Sequence, residues 1–267
     1  MNTHHWRALK GIVWREVLRF LQQRARFVAA LVRPLLWLLV FAVGFRAALG
    51  VSIVPPYATY VTYDVYIAPG LVAMIQLFNG MQSSLSMVYD REMGSMRVLL
   101  TAPLPRWFLL FSRLLASTLV SLVQVYVFLA IARLAGIDPP VGGYLAVLPV
   151  LMATGLMFGA IGMVLSSKIH QLENFAGIMN FVIFPMLFAS SALYPLWKVR
   201  EASDMLFLIC QINPFTHAVE LIRFALYVEP NWPALGIVTA TTLFFLIAGF
   251  RAYEPSRGML VRAVGAK

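Results

Sequence analysis

The sequence predicts an all-α integral membrane protein with six transmembrane helices. Of its 267 residues, 61% are hydrophobic and only 12% are charged, and the mean hydropathy is +0.81. A soluble domain has an apolar share nearer ~45–50%. A helix needs about 20 apolar residues to cross a hydrocarbon layer of about 30 Å, and such runs are found at residues 34–49, 68–88, 108–131, 144–166, 175–193 and 234–250.

The basic residues give these spans an orientation. An even number of spans puts both termini on one side, and Lys and Arg concentrate on the cytoplasmic side of membrane proteins. Of the 21 Lys and Arg residues, those that fall on the opposite side are Arg46, Arg133, Lys198, Arg200 and Arg223. We therefore expect a multi-pass protein of the bacterial cytoplasmic (inner) membrane with both termini in the cytoplasm. The net charge of +10 then reflects topology, and no nucleic-acid partner is expected.

Residues 1–33 are predicted to form an amphipathic helix at the inner surface of the membrane. Its apolar side chains recur at helical spacing among basic ones: Trp6, Leu9, Val13, Val17 and Phe20. Two placements remain open, on the lipid interface or across the cytoplasmic ends of the bundle. Pro34 suits the first turn of a new helix, so we expect a bend at Arg33–Pro34 and a membrane domain over residues 34–267.

The long outer connection between spans five and six is too apolar for a free loop. Its segment MLFLICQINPFTHAVELIRFAL, residues 205–226, is broken at Asn213 and Pro214 into two pieces that are each too short to cross. Such pieces can enter and leave the membrane on one side where protein shields their backbone. The sequence therefore predicts re-entrant outer helices between spans five and six.

The segment REMGSMRVLLTAPLPR, residues 91–106, separates the second and third spans. On a helix it places an apolar stripe of Met93, Met96, Leu99 and Leu100 apart from its charges, and Pro103 ends it. A solvated loop needs no apolar stripe. We interpret this segment as a short cytoplasmic helix on which a partner protein docks.

Three segments resemble one family, the type-2 permeases of ATP-binding-cassette (ABC) exporters, and the resemblance covers nearly the whole chain. FPMLFASSALYPL at 184–196 and INPFTHAVELIR at 212–223 are similar to the fifth span, the outer proline-leucine turn and the re-entrant helix that begins Asn-Pro. YDREMGSMRVLLTAPLPR at 89–106 is similar to the family's cytoplasmic coupling helix, with its Glu-x-Gly and closing Ala-Pro.

This resemblance implies a homodimer in membrane lipid that binds two copies of a cytoplasmic ABC ATPase and exports a polysaccharide, lipo-oligosaccharide, drug or other amphipathic molecule. No GxxxxGK[ST] phosphate loop occurs in the sequence. We therefore expect a permease that is not itself an enzyme and binds no cofactor, with ATP and Mg²⁺ held by the partner. The residues implied in ATPase coupling are Arg91, Glu92, Met93, Gly94, Ser95, Met96, Arg97, Leu99 and Leu100.

Two further patterns in the spans have both a functional and a packing interpretation. A polar stripe on one face of the second span would line the substrate pathway or join helices by hydrogen bonds: Gln76, Asn79, Ser83 and Ser86. The GxxxG of Gly155 and Gly159 permits close approach of two helices, and we favour packing within the chain over a dimer seam.

An outer re-entrant gate that yields when substrate leaves is predicted from Pro195, Asn213, Pro214, His217, Glu220 and Arg223. Glu220 and Arg223 share a helix face, and pairing avoids an isolated charge in an apolar setting. A proton relay through His217 and Glu220 is the alternative. Ahead of the second span, an aromatic belt at the outer interface is expected from Tyr57, Tyr60, Tyr63 and Tyr66.

Two other classes of function remain open. A secondary transporter driven by an ion gradient needs a buried ionisable group on a broken helix, and its transport would depend on the gradient rather than on ATP. A non-transporting membrane scaffold or enzyme would move nothing with any ATPase present. The histidines lack zinc-ligand spacing and no serine lies in GxSxG, so no catalytic or metal site is predicted.

Overall fold

A computed structural model describes residues 3–22, 24–45, 55–57, 60–92, 104–169 and 171–252. Within these ranges every regular element is an α-helix, and the all-α prediction is confirmed. The helices are α1 (Thr3–Gln22), α2 (Arg24–Phe45), α3 (Tyr63–Glu92), α4 (Arg106–Leu134), α5 (Val141–Lys168), α6 (Leu172–Phe188), α7 (Leu196–Ala202), α8 (Asp204–Ile212), α9 (Pro214–Leu226) and α10 (Trp232–Ala252).

Three of the described helices, α4, α5 and α10, are long and apolar enough to cross a membrane. A fourth span results if α8 and α9, which are bent by 74° at their junction, count as one. The predicted span at 68–88 lies inside α3, whose six polar side chains between Gln76 and Ser86 lower its hydropathy. In α2 the apolar stretch is Leu31–Val40, and in α6 it is the whole helix of 17 residues. Both stretches are shorter than the helices that are long enough to span a membrane. The count of six spans stays a prediction.

The boundary between the surface helix and the first span differs from the predicted one. Helix α1 ends at Gln22 and α2 begins at Arg24, so Pro34 lies inside α2 rather than in its first turn. Residues 24–33, which the sequence assigns to the surface helix, therefore belong to α2. Proline usually disrupts a helix interior, but neighbouring helices can satisfy the freed backbone groups in membrane proteins, and Pro34 is buried.

Helix α1 covers part of the bundle, as one of the two predicted placements requires, and its placement on lipid stays a prediction. It packs against α4 and α2, with Leu9, Val13 and Val17 half-buried. Trp6 and Trp14, two turns apart, are 62% and 61% exposed. One face of α1 thus covers the bundle, while tryptophans suited to a lipid interface remain on another.

Helix α3 is the central element of the bundle. It packs against α2, α4, α5, α6 and α9, and its residues 66–77 are all buried. The buried core extends from α3 into α5 and α9 through Phe158 and Phe215, whose ring centroids are 5.6 Å apart. The functional segments at both ends of the bundle are therefore positioned relative to α3.

Glycines set the distance between α3 and α5. A Cβ at Gly80 would lie 2.7 Å from the carbonyl carbon of Phe158, and one at Gly162 would collide with the Ser84 hydroxyl. A Cβ at Gly159 would lie 3.0 Å from Leu114 of α4. These glycines allow backbones to approach where any side chain would collide. The interpretation of GxxxG as packing within the chain is confirmed.

We expect Gly80→Leu to destabilise the protein by about 1–3 kcal/mol, the usual cost of overpacking a filled core. The obstruction is backbone of α5, which cannot move aside as a flexible side chain could. Gly236→Leu is the matched control, because a Cβ at this helical glycine meets nothing within 4 Å. Thermal unfolding of both variants in detergent checks the prediction, and equal melting temperatures would contradict it.

Candidate functional site: the outer gate and the polar face of α3

The break between α8 and α9 is held by Asn213. Its backbone is extended, its Oδ1 accepts a hydrogen bond from the Phe215 amide at 3.0 Å, and Pro214 begins α9. Its Nδ2 donates to the carbonyls of Met186 at 2.8 Å and Ala189 at 2.6 Å. Asn213 therefore caps the start of α9 and also satisfies carbonyls at the end of α6, which ties the two elements together.

Arg223 is the centre of the residues that form the predicted gate. Its guanidinium forms the ion pair with Glu220 that the spacing predicts, and its Nη2 donates to the Ser191 carbonyl at 3.0 Å and the Tyr66 carbonyl at 3.4 Å. The Arg223 Cζ also lies 4.1 Å from the centroid of the Tyr66 ring. Arg223 is 1% exposed. One buried cation thus joins α9 to α3 and to the turn that follows α6.

The turn after α6 is fixed to α3 by the tyrosines at the start of that helix. The Tyr63 hydroxyl donates to the Leu193 carbonyl at 2.6 Å and the Tyr66 hydroxyl to the Ser191 carbonyl at 3.0 Å. A Cβ at Gly70 would lie 2.7 Å from the carbonyl oxygen of Ala192, so α3 can approach this turn only with glycine there.

These contacts change the interpretation of the tyrosine series. Tyr57, Tyr63 and Tyr66 are 5%, 2% and 1% exposed, whereas Tyr60 is 61% exposed. The expectation of a four-tyrosine outer belt is therefore wrong for three of them, because their rings are buried inside the protein. Burial raises the pKa of Tyr57, whose ring lies edge-on to that of Tyr227 at 4.8 Å.

Two other predicted gate residues lie at the margins of this cluster. Pro195 is buried and precedes α7 as its N-cap. The His217 Nε2 lies 2.8 Å from the Gln211 carbonyl across the helix break, whereas Glu220 is paired with Arg223. The described contacts thus connect His217 to α8 and Glu220 to Arg223.

The polar stripe of α3 is divided into two parts. Gln76 is 1% exposed; its Nε2 donates to the Leu151 carbonyl at 2.7 Å and its Oε1 accepts from the Thr154 hydroxyl at 2.5 Å. Asn79 donates to the Gln124 side chain on α4. These two residues join α3 to α5 and α4. Thr154 has no counterpart in the sequence analysis, because a lone threonine in an apolar run gives no signal.

Ser83 and Ser86, the other two members of the stripe, make no hydrogen bond to another helix in the part of the chain that the structure describes. Ser86 donates to the Ser83 carbonyl within α3 at 2.7 Å, and both side chains are half-buried. Polar groups on a partly open face suit a pathway in which water or cargo replaces lipid. Their role in substrate passage stays a prediction.

The end of α3 that is predicted to face the cytoplasm contributes an ion pair that was not predicted from the sequence. Asp90 on the last turns of α3 pairs with Arg113 on α4, and their side chains are only 16% and 8% exposed. Of the predicted coupling residues, Arg91 and Glu92 end α3 and Glu92 is exposed. Residues 93–100, which include the other coupling residues, lie outside the described ranges. The sequence does carry a signal for this pair: Asp90 and Arg113 have opposite charges, and they lie near the facing ends of the two helices that flank the segment between α3 and α4.

The described residues hold no group of three or more His, Cys, Asp or Glu side chains that could bind a metal ion. Four charged side chains of the site form two ion pairs, one near each end of α3. The arrangement can transmit movement between helices and can present polar groups along α3.

Comparison with known proteins identifies the family. Residues 7–227 match the family described as ABC-2 type transporter. The chain is 29% identical over 229 residues to ycf38 of Porphyra purpurea, named as a transport permease, covering 84% of this chain and 75% of the relative. It is 27% identical over 205 residues to YbhR of Escherichia coli (strain K12), named as a multidrug ABC transporter permease, covering 73% and 54%.

A third relative is Nodulation protein J of Rhizobium leguminosarum bv. viciae. It is 25% identical over 231 residues, which cover 82% of this chain and 84% of that protein. The family match includes the whole of α2 to α9 and thus both ends of α3. The chain belongs to the ABC-2 type transporter family of membrane permeases.

Proposed function

We propose that this chain is the permease subunit of an ATP-driven exporter, in which two copies form the pathway for an amphipathic, glycan-like or lipid-like substrate. A separate cytoplasmic ABC ATPase, present in two copies, holds ATP and Mg²⁺ and docks on the segment from Arg91 to Leu100 and on α1. Family membership implies such a partnership. Both termini lie in the cytoplasm of a bacterial inner membrane, as the distribution of Lys and Arg favours.

The observation that carries this proposal is the buried Asp90–Arg113 ion pair. The segment between α3 and α4 is the predicted docking site, and the ion pair joins those two helices next to it. A force applied to the segment would therefore move α3 and α4 together. Since α3 also contacts α9 through Tyr66 and Arg223, this helix links the cytoplasmic end to the outer gate.

We expect replacement of Leu99 and Leu100 by Asp to abolish association with the partner ATPase. Two charges in an apolar docking stripe would have to be desolvated without partners, which should weaken the complex by at least about 100-fold. The measurement is co-purification of an ATPase encoded beside the permease, with ATPase turnover and expression level followed in parallel.

Leu134→Asp is the matched control for this experiment. Leu134 is 88% exposed in the last turn of α4, at the opposite end of that helix, so the same substitution should leave ATPase association unchanged. Unchanged complex formation by the double Leu99 and Leu100 variant would refute the docking role. Transport that followed an ion gradient without ATP would instead identify a secondary transporter.

A further inference from the structure

Arg33 occupies an unexpected depth in the fold. The distribution of charge predicts that Arg33 lies on the cytoplasmic side, but its Cζ lies 4.0 Å from the centroid of the Phe78 ring. Phe78 is at the middle of the 30-residue helix α3, about 22 Å from either end at 1.5 Å per residue. Trp37, one turn further along α2, contacts the Phe188 ring at 5.9 Å, which supports the same register.

Arg33 lies at the end of a partly open polar face. Outward of this level, residues 66–77 of α3 are all buried, whereas Phe78 and many residues that follow it are half-buried. The polar members of that face extend towards the predicted cytoplasmic end of α3: Gln82, Ser83 and Ser86. Arg33 itself is exposed. A molecule that followed this face from the cytoplasmic side would therefore reach a cation where the face closes.

No ion pair joins Arg33 to an acidic side chain in the part of the chain that the structure describes. Within the described ranges the ion pairs are Asp90–Arg113, Arg133–Asp138 and Glu220–Arg223. None of the eleven acidic residues lies near the middle of a predicted span. The sequence therefore predicts no carboxylate from a second copy of the chain at the middle of α3. A cation at this depth is costly without an anion, and another molecule that enters the open face can supply the counter-charge.

We propose that Arg33 binds the anionic head group, a phosphate or carboxylate, of an amphiphilic cargo that reaches it along the polar face of α3 from the cytoplasmic side. A guanidinium binds such groups through two parallel hydrogen bonds. The Phe78 ring stabilises the cation, and the adjacent apolar surface of α2 accommodates the chains of the cargo. This inference names the substrate class of the proposed function and rests on that function.

Binding is measured with the purified full-length permease in phosphatidylcholine nanodiscs. The probe is dansyl-labelled phosphatidic acid, compared with dansyl-labelled phosphatidylcholine of the same chain length, and energy transfer from tryptophan reports binding. Trp37 is one helical turn from Arg33 and is a suitable donor. We expect Arg33→Gln to weaken phosphatidic acid binding by about tenfold or more, as loss of a charge-assisted pair should, with phosphatidylcholine unaffected.

Two variants serve as controls. Arg33→Lys keeps the charge and should retain most of the preference for phosphatidic acid. Arg200→Gln removes another arginine that lies over a ring, with its Cζ 5.5 Å from the Phe207 centroid in the outer connection, and should change nothing. If Arg33→Gln leaves both affinities unchanged, or lowers both equally, the inference is overturned.

Inorganic phosphate distinguishes the two forms of the ligand. Displacement of the probe by phosphate from the wild-type protein, but not from Arg33→Gln, would assign recognition to the phosphate alone. A lack of displacement, with the preference for phosphatidic acid intact, would show that the cargo must bring its chains. The assay contains no ATPase, so a failure of Arg33 is separate from a failure of the proposed export function, which the Leu99 and Leu100 variant tests.

Discussion

Replacing Arg223 by Met is expected to destabilise the permease by about 3 kcal/mol or more, the lower end of the range for breaking a buried ion pair. The Arg223 side chain is 2% exposed and that of Glu220 is 21% exposed, so some solvent reaches the carboxylate and the lower end applies. The substitution also removes the donor to the Ser191 and Tyr66 carbonyls. In a chain of this size the melting temperature should fall by roughly 10 °C.

A double variant separates the ion pair from the packing of the side chain. Arg223→Met with Glu220→Leu leaves no unpaired charge, and it should recover part of the loss because an apolar pair can replace a buried ion pair. Arg133→Gln is the control, since its ion pair with Asp138 is about half exposed and should contribute less than about 1 kcal/mol. Thermal unfolding in detergent is the measurement. If Arg223→Met matched the control, Arg223 would not organise the gate.

The sequence predicts much of this gate because its signals are local. Asn213 and Pro214 predict a helix break, because Asn is a good N-cap residue and Pro lacks a backbone N–H. A spacing of three residues predicts that Glu220 and Arg223 lie on one helix face. The carbonyl partners of Arg223 could not be predicted. They belong to a turn and a helix that are distant in sequence, so their approach depends on tertiary packing around Gly70.

The burial of the tyrosines illustrates the same limit. Tyrosine ahead of an apolar run suits both a lipid interface and a buried hydroxyl with a carbonyl partner. Only the fold decides between them, and it places Tyr63 and Tyr66 against the turn after α6. The packing of Gly155 and Gly159 was predictable because small residues at a spacing of four have few alternative uses in a span.

The first helices and the number of spans show why hydropathy is an incomplete guide. Pro34 marks a helix start in isolation, yet α2 continues through it. Helix α3 is largely enclosed by other helices, but its polar stripe lowers its hydropathy below that of α10, which is far more exposed. Burial against protein and solubility in lipid are different requirements, and a sequence average does not distinguish them.

The Asp90–Arg113 ion pair was missed for a different reason. Arg113 contributes to the positive charge of the cytoplasmic side, and the orientation rule explains it without any partner. Its partner lies 23 residues away, beyond the segment that joins α3 to α4. Two charges at the ends of neighbouring spans become a pair only when those helices are antiparallel and adjacent, and no sequence pattern establishes that adjacency.

The second large effect is therefore expected from Asp90→Asn. The Arg113 side chain is 8% exposed, and it would keep its charge while losing its carboxylate partner. We expect thermal stability to fall by about 3 kcal/mol. If the partner ATPase docks on the segment between α3 and α4, the complex should still form, because the docking side chains are unchanged. Stimulation of ATPase turnover by the permease should fall about tenfold, which corresponds to roughly 1.4 kcal/mol of lost coupling.

A charge reversal distinguishes coupling from simple loss of stability. Asp90→Arg combined with Arg113→Asp restores an ion pair between the same helices, so it should recover both the melting temperature and the stimulation of the ATPase. Gly80→Leu is the control for instability, since it weakens the contact between α3 and α5 without touching the cytoplasmic ends. If Gly80→Leu lost stimulation to the same extent at an equal melting temperature, the ion pair would be structural only. If Asp90→Asn alone kept full stimulation, the helices would transmit force without it.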